Sequence, residues 1–250
     1  MVRNTLIGYG ALIVLIIFMG LMSTGGVQQV AVVEGQSQNS QLFATDPFGL
    51  EPGLAVVKMS HRGEGGFVVN LLSANQEEPV ATPERLVFSE GQNGGSTTEI
   101  ATALAEEIGP VTVSRAVNVP FGGKHLFDVK ADGPWTVEVE QPHPSSAPRT
   151  TSFSGDDDTA TPFFWLSKGL KQVYMTNPLE GKLAVSLLDT DGRAVRSNLT
   201  SEAEQAVQGA PDTISTTVDV PEDGIYLFNV RADGLWTIEL SDAEQPDEAE

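Results

Sequence analysis

Cysteine is absent from this sequence of 250 residues. Its absence excludes disulfide bonds, thiolate-bound metal sites and cysteine nucleophiles. Each domain must therefore be stable through its hydrophobic core alone, and the 40% of apolar residues suffices to form one. As a prior, a chain of this length folds as one or two domains.

Basic residues are scarce. Fourteen Lys and Arg stand against 34 Asp and Glu, which gives a formal net charge of −20. Nucleic acids and anionic lipid headgroups bind positive surfaces, so the charge balance disfavours both as partners. An acidic surface serves solubility first, and it would also suit high salt or divalent cations.

Catalytic motifs are missing as well. The three histidines, His61, His125 and His143, form no H-x-x-x-H or H-E-x-x-H pattern, and no G-x-S-x-G occurs. Pairs of carboxylates do not indicate a catalytic site in this sequence, because they are expected wherever acidic residues are abundant. The sequence therefore predicts no enzymatic activity, no catalytic residue and no required cofactor.

One long apolar run is present, at the N-terminus. Residues Thr5 to Met22 read "TLIGYGALIVLIIFMGLM" without a charge, close to the ~20 residues that span a bilayer as a helix. Arg3 should stay cytoplasmic while the rest of the chain crosses. The run is either an uncleaved single-pass anchor in the cell membrane or a secretory signal removed after "STGG". Both interpretations place the chain after Gly26 outside the cytoplasm.

Two long stretches of the chain are repeated without gaps. "VNVPFGGKHLFDVKADGPWTVEVE" (117–140) aligns with "VDVPEDGIYLFNVRADGLWTIELS" (218–241) at an offset of 101 residues. "FGLEPGLAVVKMSHRGEGGFVVNLL" (48–72) aligns with "FWLSKGLKQVYMTNPLEGKLAVSLL" (164–188) at an offset of 116. Matched ends around a middle of variable length predict a duplicated domain with a loop insertion in the first copy.

Apolar and polar residues alternate within both copies. In "LWTIELS" the residues Trp236, Ile238 and Leu240 fall on one face, which is typical of a half-buried antiparallel strand. Trp135 and Trp236 should therefore face the core. The Asp-Gly pairs of "ADGPW", "ADGLW" and "DTDG" predict hairpin turns. Capping-box patterns, Ser96-x-x-Glu99 and Ser201-x-x-Glu204, predict one short helix in each copy.

These patterns predict a mainly β fold: two tandem antiparallel β-sandwich domains of jelly-roll type, each with a short helix in a crossover loop, after an N-terminal transmembrane helix. Composition sets the boundaries, since runs rich in Gln, Ser, Thr, Pro or Asp indicate stalks and linkers. The predicted segments are a membrane anchor or signal (1–26), a stalk (27–46), the first sandwich (47–141), a linker (142–162), the second sandwich (163–241) and an acidic tail (242–250).

The second copy resembles the bacterial pre-peptidase C-terminal domain and related secreted β-sandwich modules. The similarity lies in "LAVSLLDTDGRAV" followed by "VPEDGIYLFNVRADGLWTIEL", roughly 60 residues. The first copy departs from it, because His125 stands in place of Tyr226 and "LLSANQEEP" in place of the "LLDTDGR" turn. The resemblance implies a jelly-roll-like sandwich in an extracellular setting, and no activity.

Three features are candidates for ligand sites. The "DTDG" turn, with Asp189 and Asp191, and the run Asp156 to Asp158 offer the hard oxygen ligands that calcium accepts, although neither matches an EF-hand loop. The alternative interpretation of the "DTDG" segment is an ordinary hairpin turn, and that of the Asp156 to Asp158 run is a solvated linker. Trp165, which aligns with Gly49, suggests a platform for glycan stacking, against the alternative of packing in the core or between domains.

The sequence thus predicts a membrane-anchored extracytoplasmic structural or interaction protein. Its N-terminal helix would contact the membrane and its domains an extracellular protein or glycan, with no nucleic acid involved. The alternative is an extracellular module that binds calcium through Asp189 and Asp191, or glycan through Trp165.

Overall fold

A computed structural model describes residues 27–73, 102–178, 182–202, 204–205 and 213–243 of the chain. The apolar run Thr5 to Met22 and most of the acidic tail lie outside these residues. Within the described ranges, no helix has the length and apolar character needed to cross a bilayer.

Antiparallel β structure dominates, which confirms the predicted fold class at this level. The strands are β1 (Val27–Ala44), β2 (Phe48–Leu50), β3 (Gly53–His61), β4 (Gly66–Ser73), β5 (Thr102–Ile108), β6 (Val111–Val119), β7 (Gly123–Pro142), β8 (Ser152–Asp156), β9 (Thr159–Ala160), β10 (Phe164–Leu166), β11 (Gly169–Thr176), β12 (Leu183–Asp189), β13 (Ala194–Arg196), β14 (Glu204–Gln205), β15 (Thr213–Val220), β16 (Gly224–Ala232) and β17 (Leu235–Asp242). A short 3-10 helix spans Leu199–Glu202.

The strands of residues 27–142, which we call unit 1, are organised around β7. Along one edge β7 pairs first with β4 and then with β3, and along the other edge with β2 and β1. Strand β5 extends the sheet beyond β4, and β6 extends it beyond β3. The first and second halves of β7 therefore belong to two different layers. Between the layers lies a core that includes Phe67, Phe127 and Trp135.

Residues 152–242, which we call unit 2, form two five-stranded sheets. One has the order β10-β16-β12-β13 with β9 also on β16, and the other has the order β14-β15-β11-β17-β8. Both sheets contribute to one core, with Phe228 from β16, Met175 from β11 and Trp236 from β17. Two sheets that share a core in this way are sandwich-like.

The pairing registers of the two units coincide. Leu71 opposite Phe127 corresponds to Leu187 opposite Phe228 at the same offsets of 116 and 101 residues. Strands β3 and β6 pair in the register that β11 and β15 share. Strand β1 corresponds to β8 and β9 together, since Gly35 lies opposite Trp135 as Gly155 lies opposite Trp236. The repeat in the sequence is thus matched by a repeat in strand pairing.

The two "ADG" segments are corners between layers, so the predicted hairpins at these places are wrong. Strand β16 pairs with β12, β10 and β9, whereas β17 pairs with β11 and β8, and the two flank Asp233-Gly234 without pairing with each other. In unit 1 the equivalent residues lie within β7, where it passes from one layer to the other. Gly133 and Gly234 have φ of 132° and 83°, which a residue with a Cβ rarely adopts. The "DTDG" segment does join a hairpin, because β12 pairs with β13.

The predicted stalk and linker are also corrected. Residues 27–44 form β1, which pairs with β7 over almost its whole length and buries Ala31 and Val33. Residues 152–160 of the predicted linker form β8 and β9, which pair with β17 and β16. Polar composition suggested unpaired chain in both places. Backbone pairing does not depend on side-chain polarity, however, and the last strands of each unit offer a free edge to these segments.

The predicted helices are corrected in part. Residues 102–108 form β5, where a bulge allows the neighbours Leu104 and Ala105 both to be buried. A bulged strand brings adjacent apolar residues inward, so its pattern resembles a helical one. In unit 2 the Ser201 segment forms the 3-10 helix followed by β14. Residues 74–101 and 206–212, which include Ser96 and Glu99, lie outside the described residues.

Candidate functional site

The predicted calcium ligands Asp189 and Asp191 lie in the β12–β13 turn. Asp189 Oδ1 accepts hydrogen bonds from the backbone N–H groups of Asp191 at 3.0 Å and Arg193 at 2.8 Å. The Asp191 carboxylate forms an exposed ion pair of 3.0 Å with Arg193. Within the described ranges, no group of three or more His, Asp or Glu is placed to hold a metal ion. Calcium binding here stays a prediction, and the contacts themselves are those of a hydrogen-bonded turn.

The run Asp156 to Asp158 is a structured corner between β8 and β9, and its interpretation as solvated linker is wrong. Asp157 adopts a φ of 54°, a left-handed conformation that Asp tolerates better than most residues. Its backbone oxygen accepts the indole N–H of Trp236 at 3.0 Å, and its Oδ1 accepts the N–H of Gly234 at 2.9 Å. Asp158 is buried and faces unit 1. The corner therefore uses its carboxylates and carbonyls to join parts of the protein.

Trp165 lies on β10 and is partly buried. The guanidinium of Arg149 stands 3.6 Å from the centre of its ring, in a cation–π contact. Its backbone N–H donates to the carbonyl of Pro148 at 2.8 Å, which holds the chain before β8 against β10. One face of the indole is thus already covered. Glycan contact by Trp165 stays a prediction.

The histidines do not come together. His61 is buried and stacks on Phe67 with the ring centroids 4.9 Å apart, and its Nδ1 lies 2.9 Å from the carbonyl oxygen of Gly109. His125 Nδ1 lies 3.1 Å from the Gly123 oxygen at the start of β7. His143 is exposed just beyond the same strand. These contacts give His61 and His125 packing roles.

A polar and apolar junction joins the two units along β6. Its central contact is a buried ion pair between Arg115 of β6 and Asp158, both side chains about 8% exposed. The second Asp158 oxygen, Oδ1, accepts the N–H of Ala232 at 3.0 Å. The backbone on either side is bonded too, since Ser114 N–H donates to the Asp158 carbonyl and Ala160 N–H donates to the Ser114 hydroxyl. Both carboxylate oxygens of Asp158 are therefore satisfied.

The junction continues at its other end. Ala116 N–H donates to Asn229 Oδ1 at 3.0 Å, and the Asn118 amide donates to the carbonyl of Asp191 at 2.9 Å. An apolar cluster from both units, Leu54, Ala116, Leu188 and Leu227, fills the space between these bonds. The "DTDG" turn is thus part of the junction. A Cβ at Gly192 would lie only 3.2 Å from the Cα atoms of Asn118 and Leu54.

Charges at the junction influence one another. Burial lowers the pKa of the Arg115 guanidinium. The negative charge of Asp158 acts in the opposite direction and raises that pKa. Burial also raises the pKa of Glu107 on β5, and Asp158 and Asp157 raise it further. Glu107 belongs to unit 1 while both aspartates belong to unit 2. Electrostatic interactions therefore cross from one unit to the other.

A groove of about 420 Å³ lies beside the corner of unit 1. It is lined by Glu34, Gly35, Gln36, Ser60, Arg62, Pro134, Trp135 and Thr136. The lining residues come from β1, β7 and the end of β3, three neighbouring segments of one layer. Trp135 is 4% exposed, and its Nε1–H has no hydrogen-bond acceptor among the described residues. The groove thus combines charged, amide and hydroxyl groups with a buried donor.

Sequence reasoning missed both the junction and the groove. A signal existed for Arg115, which stands in phase with the apolar Val111 and Val113 in the alternating stretch "VTVSRAV". No local signal identifies the groove. Its residues lie in three distant segments, of which the first was interpreted as a stalk.

Comparisons with known proteins identify no family. No family model matches the chain, and no curated protein matches it. Among solved structures, the chain aligns with the F-lectin (fucolectin) from the serum of striped bass, Morone saxatilis. The alignment covers 86% of each chain at 12% identity, with a TM-score of 0.23. A similarity of this size carries no argument about function.

Proposed function

We propose that this chain is a membrane-anchored, extracytoplasmic structural or interaction protein, built from two copies of one β-sandwich module that act as a single rigid body. The apolar N-terminal run supports the anchor, and the matching strand registers support the two modules. The resemblance to secreted pre-peptidase C-terminal modules agrees with an extracytoplasmic setting. A protein of this kind would hold a binding surface at a fixed distance and orientation from the membrane.

The observation that carries the rigid-body part of the proposal is the buried Arg115–Asp158 pair. Two domains that are joined only by a flexible linker move independently by default. Here the ion pair, four further hydrogen bonds to backbone or side chain and an apolar cluster connect the units. Breaking a buried pair by removing one charge typically costs about 3–5 kcal/mol.

The location is tested by adding protease to intact cells that produce the full chain with a C-terminal tag. The proposal expects loss of the tag together with retention of an N-terminal fragment in the membrane fraction. Full protection of the tag, with the protein in the cytosol, would contradict it. A secreted, shortened protein in the medium would instead indicate signal cleavage and overturn the anchor.

The rigid body is tested by differential scanning calorimetry of the wild type and Asp158→Asn. The wild type should unfold in one transition, and Asp158→Asn should separate it into two, because the variant leaves Arg115 buried without its charged partner. Asp156→Asn, an exposed change in the same corner, is the matched control and should behave as wild type. Two transitions in the wild type would refute the rigid body.

A further inference from the structure

The groove of unit 1 has features that the equivalent surface of unit 2 lacks. In unit 2 the residues equivalent to Ser60 and Thr136 are Thr176 and Thr237, whose hydroxyl groups bond each other at 2.6 Å. In unit 1 the Ser60 and Thr136 hydroxyls have no partner among the described residues. The duplication therefore keeps the sheet and changes the hydrogen-bonding capacity of its surface.

The charged groups of the groove are available as well. Within the described part of the chain, Glu34 and Arg62 make no ion pair, and the Gln36 side chain makes no hydrogen bond. Arg62 is positioned by its backbone, since its N–H donates to the Pro134 carbonyl at 2.9 Å. One carboxylate and one guanidinium make the groove locally neutral in a chain whose net charge is −20.

The register fixes the arrangement of these groups. Glu34 lies opposite Thr136 on one side, and Ser60 lies opposite Thr136 on the other. Gln36 lies opposite Pro134, next to Arg62. With strands ~4.8 Å apart, the outer rows are separated by roughly 10 Å. Donors and acceptors thus alternate across a surface wide enough for a sugar ring to lie across the strands.

From these contacts we propose that the groove binds a neutral saccharide chain, which goes beyond the function proposed above. Sugar hydroxyls donate and accept at the same time, and they need a surface that does both. The carboxylate of Glu34 accepts, the guanidinium of Arg62 donates, and the amide and the two hydroxyls do either. The Trp135 indole lies beneath this surface, packed against Gly35, so its N–H signal is a reporter of a ligand bound above it.

An anionic ligand fits the groove less well. Arg62 is its one basic side chain, Glu34 stands in the same groove, and the strongly negative chain repels anions at longer range. An apolar ligand fits less well too, because it would leave the hydroxyl and amide groups buried without partners, at a cost of about 1–3 kcal/mol for each group.

The test uses the ¹⁵N-labelled full chain in detergent and follows the indole N–H signals of its three tryptophans. The probes are maltohexaose, cellohexaose and xylohexaose, with a heparin hexasaccharide as the anionic comparison. At least one neutral hexaose should shift the Trp135 signal and release heat in calorimetry, while the Trp236 signal stays in place. Movement of the Trp165 signal instead would assign the glycan site to Trp165 and overturn the groove.

Thr136→Val removes one hydroxyl while keeping a side chain that suits a strand. It should weaken binding of the neutral hexaose roughly tenfold, the equivalent of about 1.4 kcal/mol. Thr237→Val, at the equivalent position of unit 2, is the matched control and should bind as wild type. An amide spectrum as well dispersed as that of wild type reports that each variant is folded.

Besides movement of the Trp165 signal, three results would overturn the proposal: no Trp135 shift with any neutral hexaose, binding of the heparin fragment alone, or equal affinity in Thr136→Val and the wild type. None of them depends on where the protein resides in the cell. Failure of the groove is therefore distinguishable from failure of the membrane-anchored function.

Discussion

Trp135 and Trp236 occupy equivalent positions in the two units, and comparing them separates what the duplication preserved from what it changed. Each indole lies over a glycine of the neighbouring strand, Gly35 or Gly155. A Cβ on either glycine would come within 2.4 Å of Cζ2 of its tryptophan. The packing of ring against bare backbone is the same in both units, so it is a requirement of the fold.

The polar environment of the two rings differs. The Trp236 N–H bonds the Asp157 carbonyl, and the next residue, Asp158, forms the junction with Arg115. The Trp135 N–H is buried and has no such acceptor among the described residues, and the residue borders the groove. The corner of unit 2 therefore takes part in the contact between the units, whereas the corner of unit 1 makes no such contact among the described residues. Divergence between copies has occurred in the corner while the core was retained.

The largest effect is expected from Trp236→Ala. Truncation of a buried tryptophan costs about 3–5 kcal/mol, a large share of the 5–15 kcal/mol that typically stabilises a domain. Unit 2 should lose several degrees of melting temperature or fail to fold. Circular dichroism during heating measures this change. If the variant melts as wild type does, the indole does not support the core.

Gly35→Ala and Gly155→Ala should come next, with similar losses in both units. Overpacking of a core costs about 1–3 kcal/mol, and the added methyl group meets the ring at the same distance in each unit. Gly49→Ala is the matched control, since a Cβ there meets nothing within 4 Å. Urea unfolding gives the three free energies. A loss in only one unit would show that the two corners are not equivalent.

Trp236→Phe and Trp135→Phe should differ by about 1 kcal/mol. Phenylalanine retains an aromatic ring and removes the N–H, so in unit 2 it leaves the Asp157 carbonyl without its donor. In unit 1 the change Trp135→Phe removes no hydrogen bond to a described residue. Comparison of the two urea midpoints measures the difference. Equal losses would contradict the assignment of a polar role to Trp236 alone.

The smallest effect is expected from Glu107→Gln. Because the pKa of Glu107 is raised in the folded protein, its proton is held more tightly there than in the unfolded chain. Glu107 therefore stabilises the fold below its ordinary pKa of 4.5, and this contribution is lost as the pH rises through the raised value. At neutral pH the variant should melt above wild type, and the difference should shrink below pH 4.5.

The exposed neighbour Glu106 provides the control for this experiment, since Glu106→Gln removes the same charge from a side chain that is not buried. In an Asp158→Asn background, Glu107→Gln should change the melting temperature by less, because the charge of Asp158 contributes to the raised pKa of Glu107. An unchanged effect in that background would argue against electrostatic coupling between the units.

Local patterns in the sequence predicted the strands that alternate cleanly. The inward phase of Trp135 and Trp236 is confirmed, as both are almost fully buried. So is the β12–β13 hairpin at "DTDG". These features depend on neighbours along the chain, which a periodic pattern records directly.

Features that depend on distant segments were not predictable in the same way. Asp-Gly favours a tight turn, but whether the next strand returns to the same sheet or enters the opposite one depends on which edges are free. Asp158 looked solvated in an acidic run, and its burial depends on partners far away in the sequence, Arg115 at 43 residues and Ala232 at 74 residues. The glycines under the tryptophans are visible as "VVEG" and "SFSG" once the registers are known.

Strand β1 pairs with β7 along its length, so that Val27 lies opposite Pro142. During synthesis, the first strand of unit 1 must therefore wait until the last strand of that unit has emerged. The edge of β6 stays uncovered for longer, until Asp158 and Ala160 have been synthesised and can bond Ser114. An uncovered strand edge invites association with other chains. Production of the protein truncated after residue 142 should thus yield aggregates, because β6 then lacks the residues of unit 2 that cover its edge.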